Sequence, residues 1–351
     1  MTHTSSFDWF RLAQTRGIGV KFLWDVYDFV SKESRSLSDL LSDLLIGDKI
    51  DTTSLPTKLR KKLSSSIINQ DYEALRKAFE HLEENKVKIL DVESPHFPER
   101  LKRYGRKYGI PPLLYARGYV PLANSNSQEV NSIAIVGSRN IGEEALSITS
   151  KLAKELAREG FNIVSGYAKG VDSTAHLGAL EVEGTTTIVL GLGILNFEVK
   201  KDFKPLFSRY NTLVLSQFNP TDKWLARNAM ARNKLVCALS DAVIVIASGQ
   251  EIDNQGRMSG TFDTAKSALE MNIPVFVLSP QCFNQPPVGN TDLIQLGCHE
   301  ILPQNAIQEI LSRLKRESID IDKQKASSTS NRKLTSTDKQ EETTQLKLPL
   351  S

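Results

Sequence analysis

The run IAIVGSR, ending in Gly137, Ser138 and Arg139, places two small residues and a cation directly after four apolar ones. A helical pattern follows from about 142 to 159. At such a turn the first backbone N–H groups of the helix lack an acceptor, and the helix dipole adds positive potential. The residue types therefore suit a bound anion such as a phosphate. Four more runs share this character. One is Ser165, Gly166, Tyr167, Ala168, Lys169 and Gly170, ahead of Val171 and Asp172. Another is Gly191-Leu192-Gly193. A third runs from Ser216 to Pro220 and leads to Arg227, Asn228, Arg232, Asn233 and Lys234. The last is Ser259, Gly260 and Thr261. Each alone has a plain steric explanation, because small residues fit tight turns. Their coincidence at strand ends favours one shared ligand edge. Gly191-Leu192-Gly193 is not a dinucleotide fingerprint, since no third glycine follows at the required spacing.

No catalytic residue, metal set or cofactor is expected. His176 has no serine or aspartate at a fixed spacing and reads as a packing residue. Asp172 reads as a helix cap or first-turn residue, worth about 1 kcal/mol. Cys237, Cys282 and Cys298 form no CxxC pair, which argues against a disulfide framework or a zinc site and fits a reducing cytoplasm.

The elements that must position these runs alternate along the chain. Continuous apolar segments lie at 133–136, 161–164, 187–190, 212–215, 242–246 and 275–278, with helical patterns at 151–158, 173–181, 225–239 and 263–271. Strands that are apolar throughout are buried on both faces, as in a parallel sheet covered by helices. The expected fold is α/β, a doubly wound, Rossmann-like parallel sheet over 131–316. Right-handed crossovers would gather its strand ends on one edge. A small all-helical domain is expected over 1–85 and a connector that packs on the sheet over 86–130. The segment 317–351 is expected to be a disordered tail, being rich in Ser, Thr and Lys and almost free of apolar residues.

The chain has 351 residues, 40% hydrophobic and 24% charged, with a net charge of +3. That is ordinary for a soluble protein with room for two cores. The charge is too small to name a partner; only local placement of cations can. The first residues lack a basic flank and an apolar run, and no apolar stretch nears the ~20 residues that span a bilayer, so neither secretion nor membrane insertion is expected.

Four strings taken together resemble the DNA-processing protein A (DprA, or Smf) family: IAIVGSR, VSGYAKGVDSTAHLGAL, ARNKLVCALSDAVIVI and SGTFDTAKSALE. In the family they read approximately AIVGSR, SGLARGIDxxAHxGAL, RNRxIxGLSDxxxVxE and SGxxxTAxxAxE. The resemblance covers about 86–303. It implies single-stranded DNA binding without chemistry on the DNA, in DNA uptake (natural transformation) and recombination, with loading of the recombinase RecA. It also implies a homodimer. Carried over by position, Arg139, Lys169, Arg232, Asn233 and Lys234 would line a basic pocket. Gly137, Ser138, Ser165, Gly166, Gly170, Ser259, Gly260 and Thr261 would offer amides or hydroxyls to phosphates. Tyr167, Phe218 and Trp224 are candidates for base stacking. The chain departs from the family at Gln217, where an acid is frequent, at Ala247-Ser248, where another acid is missing, at Lys234 in place of an arginine, and in an insertion over 249–258.

Two further motifs stand outside this block. Gly17, Gly19, Val20 and Lys21 lie in TRGIGVK between helical stretches and look like a helix-hairpin-helix turn that offers amides to a DNA phosphate; a plain glycine turn between packed helices uses the same residues. Gln345, Leu346, Leu348 and Leu350, in the last residues QLKLPL, resemble the peptides by which bacterial replication proteins bind the sliding clamp. Two readings compete with DNA binding. One is a nucleotide sensor, or an enzyme of the phosphoribohydrolase type, on the same fold. The enzyme needs a glutamate where Thr264 stands. The other is a replication or repair adaptor held by the clamp peptide.

Overall fold

In a computed structural model, the described residues are 2–46, 56–68, 70–118 and 131–315. The tail over 317–351 and its peptide Gln345–Leu350 lie outside them. The chain forms two compact units, Met1–Pro303 and Gln304–Ser351. In the second, residues 306–315 are helical.

The first unit opens with helices α1 (Thr2–Ala13), α2 (Val20–Lys32), α3 (Leu37–Ile46), α4 (Thr57–Ile68) and α5 (Tyr72–Glu84). Then come β1 (Lys88–Asp91), α6 (Glu99–Tyr108) and β2 (Leu113–Gly118). The alternating part follows as β3 (Ser132–Val136), α7 (Glu143–Arg158), β4 (Asn162–Ser165), α8 (Val171–Glu181), β5 (Thr186–Val189) and β6 (Thr212–Ser216). It ends with α9 (Ala226–Ala238), β7 (Ala242–Val245), α10 (Gly260–Glu270), β8 (Val275–Leu278), α11 (Val288–Gln295) and β9 (His299–Ile301).

Among the described residues one nine-stranded sheet results, in the order β1-β2-β6-β5-β4-β3-β7-β8-β9. Every residue of β3 to β8 is buried, which is why their sequences are apolar without alternation. From β6 through β9 in this order all pairings are parallel. α7 and α8 pack together, as do α9 and α10; right-handed crossovers put the two pairs on opposite faces. The chain steps outward from β3 to β4, β5 and β6, then returns to the other side of β3 to begin β7. The direction of winding reverses between β3 and β7, and a crevice opens beyond their carboxyl ends. In open α/β sheets this is where ligands bind.

The sheet is not wholly parallel. β2 pairs antiparallel with β6, with Tyr115 opposite Ser216, and β1 pairs antiparallel with β2. The segment read as packing on the sheet thus also lengthens it by two strands. After the break at Pro111-Pro112 the chain enters the edge from the opposite end.

The helices α1–α5 dock on this edge through polar and aromatic contacts. The Ser6 hydroxyl donates to the Asp91 carboxylate at 2.6 Å, and Gln14 donates to the Tyr115 hydroxyl at 3.0 Å. Burial raises the Asp91 pKa above the usual carboxylate range, against the pull of the Ser6 bond. The Trp24 indole N–H donates to the Ile110 carbonyl at 2.8 Å. Its ring lies so close to Gly105 that a Cβ there would sit 2.2 Å from it. Only a glycine lets α6 approach α2 at this point.

Candidate nucleic-acid interface

The crevice at the reversal point is a cleft of about 820 Å³. Its walls come from the β3–α7 turn, from the first turns of α9 and α10, and from the 249–258 loop. Gly137, Ser138 and Arg139 form one wall. Gly137 has no side chain because Val171 of α8 occupies that space; a Cβ would lie 2.5 Å from its methyl group. Opposite them stand Ser259, Gly260 and Thr261. Ser259 caps α10, its hydroxyl accepting from the Phe262 N–H at 3.3 Å. The first-turn amides of Gly260 and Thr261 have no intrahelical acceptor. Ala226 and Arg227, the first residues of α9, line the same cleft. Two positive helix ends and a strand-end turn therefore converge, an arrangement that favours anions.

Arg232 forms part of the cleft lining yet is 8% exposed. Its guanidinium fills the space beside Gly166, where a Cβ would collide with it at 1.5 Å. Asp172 stands 3.9 Å away, at the limit of an ion pair. Among the described residues Arg232 Nε has no hydrogen-bond partner. Burial lowers the Arg232 pKa, Asp172 opposes that, and the Arg139 cation adds to it. An ion pair this buried and this loosely bonded is costly by itself. An anion arriving between Arg139 and Arg232 would satisfy both cations. Asn233 turns to α10, donating to the Gly260 carbonyl at 3.0 Å, and so ties the middle of α9 to the start of α10.

Lys169 lies in an adjoining cavity of about 770 Å³ that shares Arg139 and Asn140 with the cleft. Gly170 turns the chain there with φ +82°, its Cα facing the Ser138 and Arg139 carbonyls; a Cβ would lie 2.6 Å from the latter. Sequence reasoning missed Lys200, which lines the same cavity. Its ammonium donates to the Tyr167 carbonyl at 2.7 Å and to the Ser173 hydroxyl at 2.8 Å, and it sits 4.1 Å from the Tyr167 ring centroid. Partial burial lowers its pKa, countered by Asp172 and Asp202. Lys200 follows the Gly191-Leu192-Gly193 turn in a stretch without periodicity, so only its positive charge and that of Lys201 could have flagged it.

Three expected residues fall elsewhere, and the first is Gly166, which is buried beneath the Arg232 guanidinium and lines neither cavity. The Ser165 hydroxyl is buried and donates to the Ile135 carbonyl at 2.6 Å, because the end of β4 points it into the sheet. Lys234 lines a separate small cavity with Glu251, Asp263 and Lys266; two helical steps of about 100° each carry it off the face that Arg232 occupies. Among the stacking candidates, Tyr167 is engaged: its ring packs on Phe197 and Phe203, with a left-handed φ of +63°. Trp224 is 51% exposed in the cleft, with the Arg139 guanidinium 5.9 Å from its ring centroid. His176 is buried against Thr186 at 2.6 Å. Thr186 donates onward to the Ile163 carbonyl, so His176 Nδ1 carries the proton, and burial pushes its pKa down to about 3.

The Gly17 turn joins α1 to α2, with Gly17 at φ +84° and Gly19 preceding the first turn of α2. Arg16, Gly17, Gly19 and Lys21 are exposed, and Val20 is half-buried. Gln14, at the base of this turn, accepts a hydrogen bond from Asn219 in the loop after β6. That places the turn beside the same sheet edge. Among the described residues no group of acidic, histidine or cysteine side chains could hold a metal, and no helix is long and apolar enough to cross a membrane.

Known proteins share this fold. The Smf protein of Synechocystis sp. is 32% identical over 231 residues, 65% of this chain and 56% of that protein; the match thus spans little over half of the relative's length. The X-ray structure of DNA processing protein A (DprA) from Streptococcus pneumoniae superposes with a TM-score of 0.67 at 25% identity, covering 87% of this chain and 97% of that one. A structure of DNA processing protein A from Helicobacter pylori, described for its single-stranded DNA binding mode, has a TM-score of 0.50 at 30% identity, covering 65% of this chain and 97% of that one. The sequence model of the DNA recombination-mediator protein A family matches residues 88–315, which contain the whole cleft. The chain belongs to the DNA recombination-mediator protein A family.

Proposed function

We propose that this protein binds single-stranded DNA along the cleft and its adjoining cavity, holding the strand by its phosphates and breaking no bond in it. It would act in DNA uptake and recombination, passing the strand to a RecA-type recombinase, and work as a homodimer. The observation that carries the reading is the convergence of Arg139, Arg232 and the first turns of α9 and α10 on one cleft. The single-strand binding described for the Helicobacter pylori relative supports it. Amide and cation contacts to phosphate are indifferent to sequence. The enzyme alternative is disfavoured by the chemistry of the lining. Thr264 stands at the cleft in place of an acid, with its hydroxyl donating to the Gly260 carbonyl at 2.7 Å. Asp263 belongs to the separate small cavity near Lys234. Asp172 does line the cleft, but it faces Arg232.

The test is a gel shift with single-stranded and duplex oligonucleotides of one length at two salt concentrations. Single strands should bind more tightly, and added salt should weaken binding steeply. The double variant Arg139→Ala/Lys169→Ala should lose affinity for all sequences alike and flatten the salt dependence by about 1.4 in log–log slope. Equal binding of duplex, or an unchanged double variant, would overturn the assignment.

A further inference from the structure

We propose that Trp224 and Met258 grip an unstacked nucleobase across the mouth of the cleft, and that the inserted 249–258 loop supplies the second wall of this grip. The proposal rests on the single-strand reading above.

The large exposed apolar side chains are unevenly placed. Eight are found among the described residues, and five of them gather at this rim: Trp224, Leu225, Ile252, Met258 and Val288. Trp224 and Met258 line the cleft directly and are 51% and 59% exposed. Ile252 bridges to Met258 in the insertion. Val288 precedes Gly289, whose N–H donates to the Ser248 carbonyl at the start of the insertion. Single exposed apolar residues are ordinary, but a cluster beside a cationic cleft is not.

The insertion is a built hairpin. Asp253 N–H donates to the Arg257 carbonyl at 3.0 Å, and the Asp253 carboxylate accepts from the Gln255 and Arg257 N–H groups at 2.8 and 2.9 Å. Ser259 N–H donates to the Glu251 carbonyl at 3.0 Å, and Lys266 ties Glu251 to α10 at 2.5 Å. These bonds hold Met258 at the rim. On the other side, the Arg139 guanidinium lies against the Trp224 ring, so the cation that would take a phosphate and the ring that would take its base are neighbours. An indole offers a flat face to any base. A thioether adapts its shape to purine or pyrimidine. The grip is therefore indifferent to sequence, yet it requires a base.

The experiment uses the full chain, a 5′-labelled oligothymidylate of about 12 nucleotides, and a deoxyribose-phosphate strand of equal length that lacks bases. Trp9 and Trp24 are buried at 0% and 2% exposure, so quenching of tryptophan fluorescence reports Trp224. Oligothymidylate should quench it and the abasic strand should not, while anisotropy shows both bound. Trp224→Ala should weaken oligothymidylate binding about tenfold and leave abasic binding unchanged. Trp224→Phe should restore most of the loss. Met258→Ala should lose several-fold, again only for the strand with bases. Equal loss on both strands would overturn the grip, since Trp224 would then merely orient Arg139; so would no loss on either. If the wild-type chain binds neither strand, the single-strand reading itself falls.

Discussion

Arg232 and Gly166 form one unit, because the guanidinium lies where any larger residue at 166 would put its Cβ. Gly166→Ala should push Arg232 off Asp172 and cost about 1–3 kcal/mol as overpacking. Thermal unfolding should show a lower midpoint, and single-strand affinity should drop in the same variant. His176 governs a second response. Its folded pKa is about 3 against an unfolded value near 6.5, so between these pH values the unfolded chain binds the extra proton. The stability due to neutral His176 is complete above about pH 6.5 and is lost as pH falls toward 3, by at most about 1.4 kcal/mol per pH unit. Asp8 and Asp91 act in the opposite sense, since burial raises both and each takes up its proton first in the folded state. Denaturant unfolding of His176→Gln from pH 7 to pH 4 should therefore show a shallower loss than the wild type; an equal slope would place the acid sensitivity elsewhere.

Helix α6 joins the N-terminal helices to the sheet, through Trp24 over Gly105 and through Arg106 paired with Asp25 and Asp28. Gly105→Ala should destabilise the chain by about 1–3 kcal/mol and leave single-strand affinity intact, because none of the cleft walls comes from α2 or α6. Calorimetry and a binding titration on one preparation separate the two effects. The same helix shows where sequence reading stops. β3 to β8 were legible because burial on both faces demands unbroken apolar runs. α6 lies between Pro98 and Pro111, so the segment reads as a broken connector although Leu101, Tyr104, Gly105 and Tyr108 share one helical face, and β9 has just three residues. The cleft itself was legible at Gly137, Arg139 and Gly260, since turn chemistry is local. Arg232, Asn233 and Lys234 were not separable, because consecutive helical residues diverge by 100° each and the string does not say which direction faces the cleft. Lys200 depends on the packing of a distant loop onto Tyr167, which no local pattern encodes.

Across the whole molecule the net charge is only +3, so long-range attraction to a polyanion is weak and binding depends on cations near the strand. Around the cleft and its neighbour these are Arg139, Arg227, Arg257, Lys169 and Lys200. Arg257 is shared with Asp253 at 2.7 Å, and Arg232, engaged with Asp172, is left out, so about four to five positive charges remain to displace counterions. For single strands each contributes about −0.7 to the log–log slope of affinity against salt. The expected slope therefore lies between about −2.8 and −3.5. Lys200→Ala should flatten it by about 0.7, whereas Lys234→Ala, on the other side of α9, should leave it unchanged. A titration at four salt concentrations with these two variants checks the placement of the strand without a structure of the complex. A slope near zero, or a larger effect from Lys234 than from Lys200, would mean that the phosphates run over a different face of the sheet.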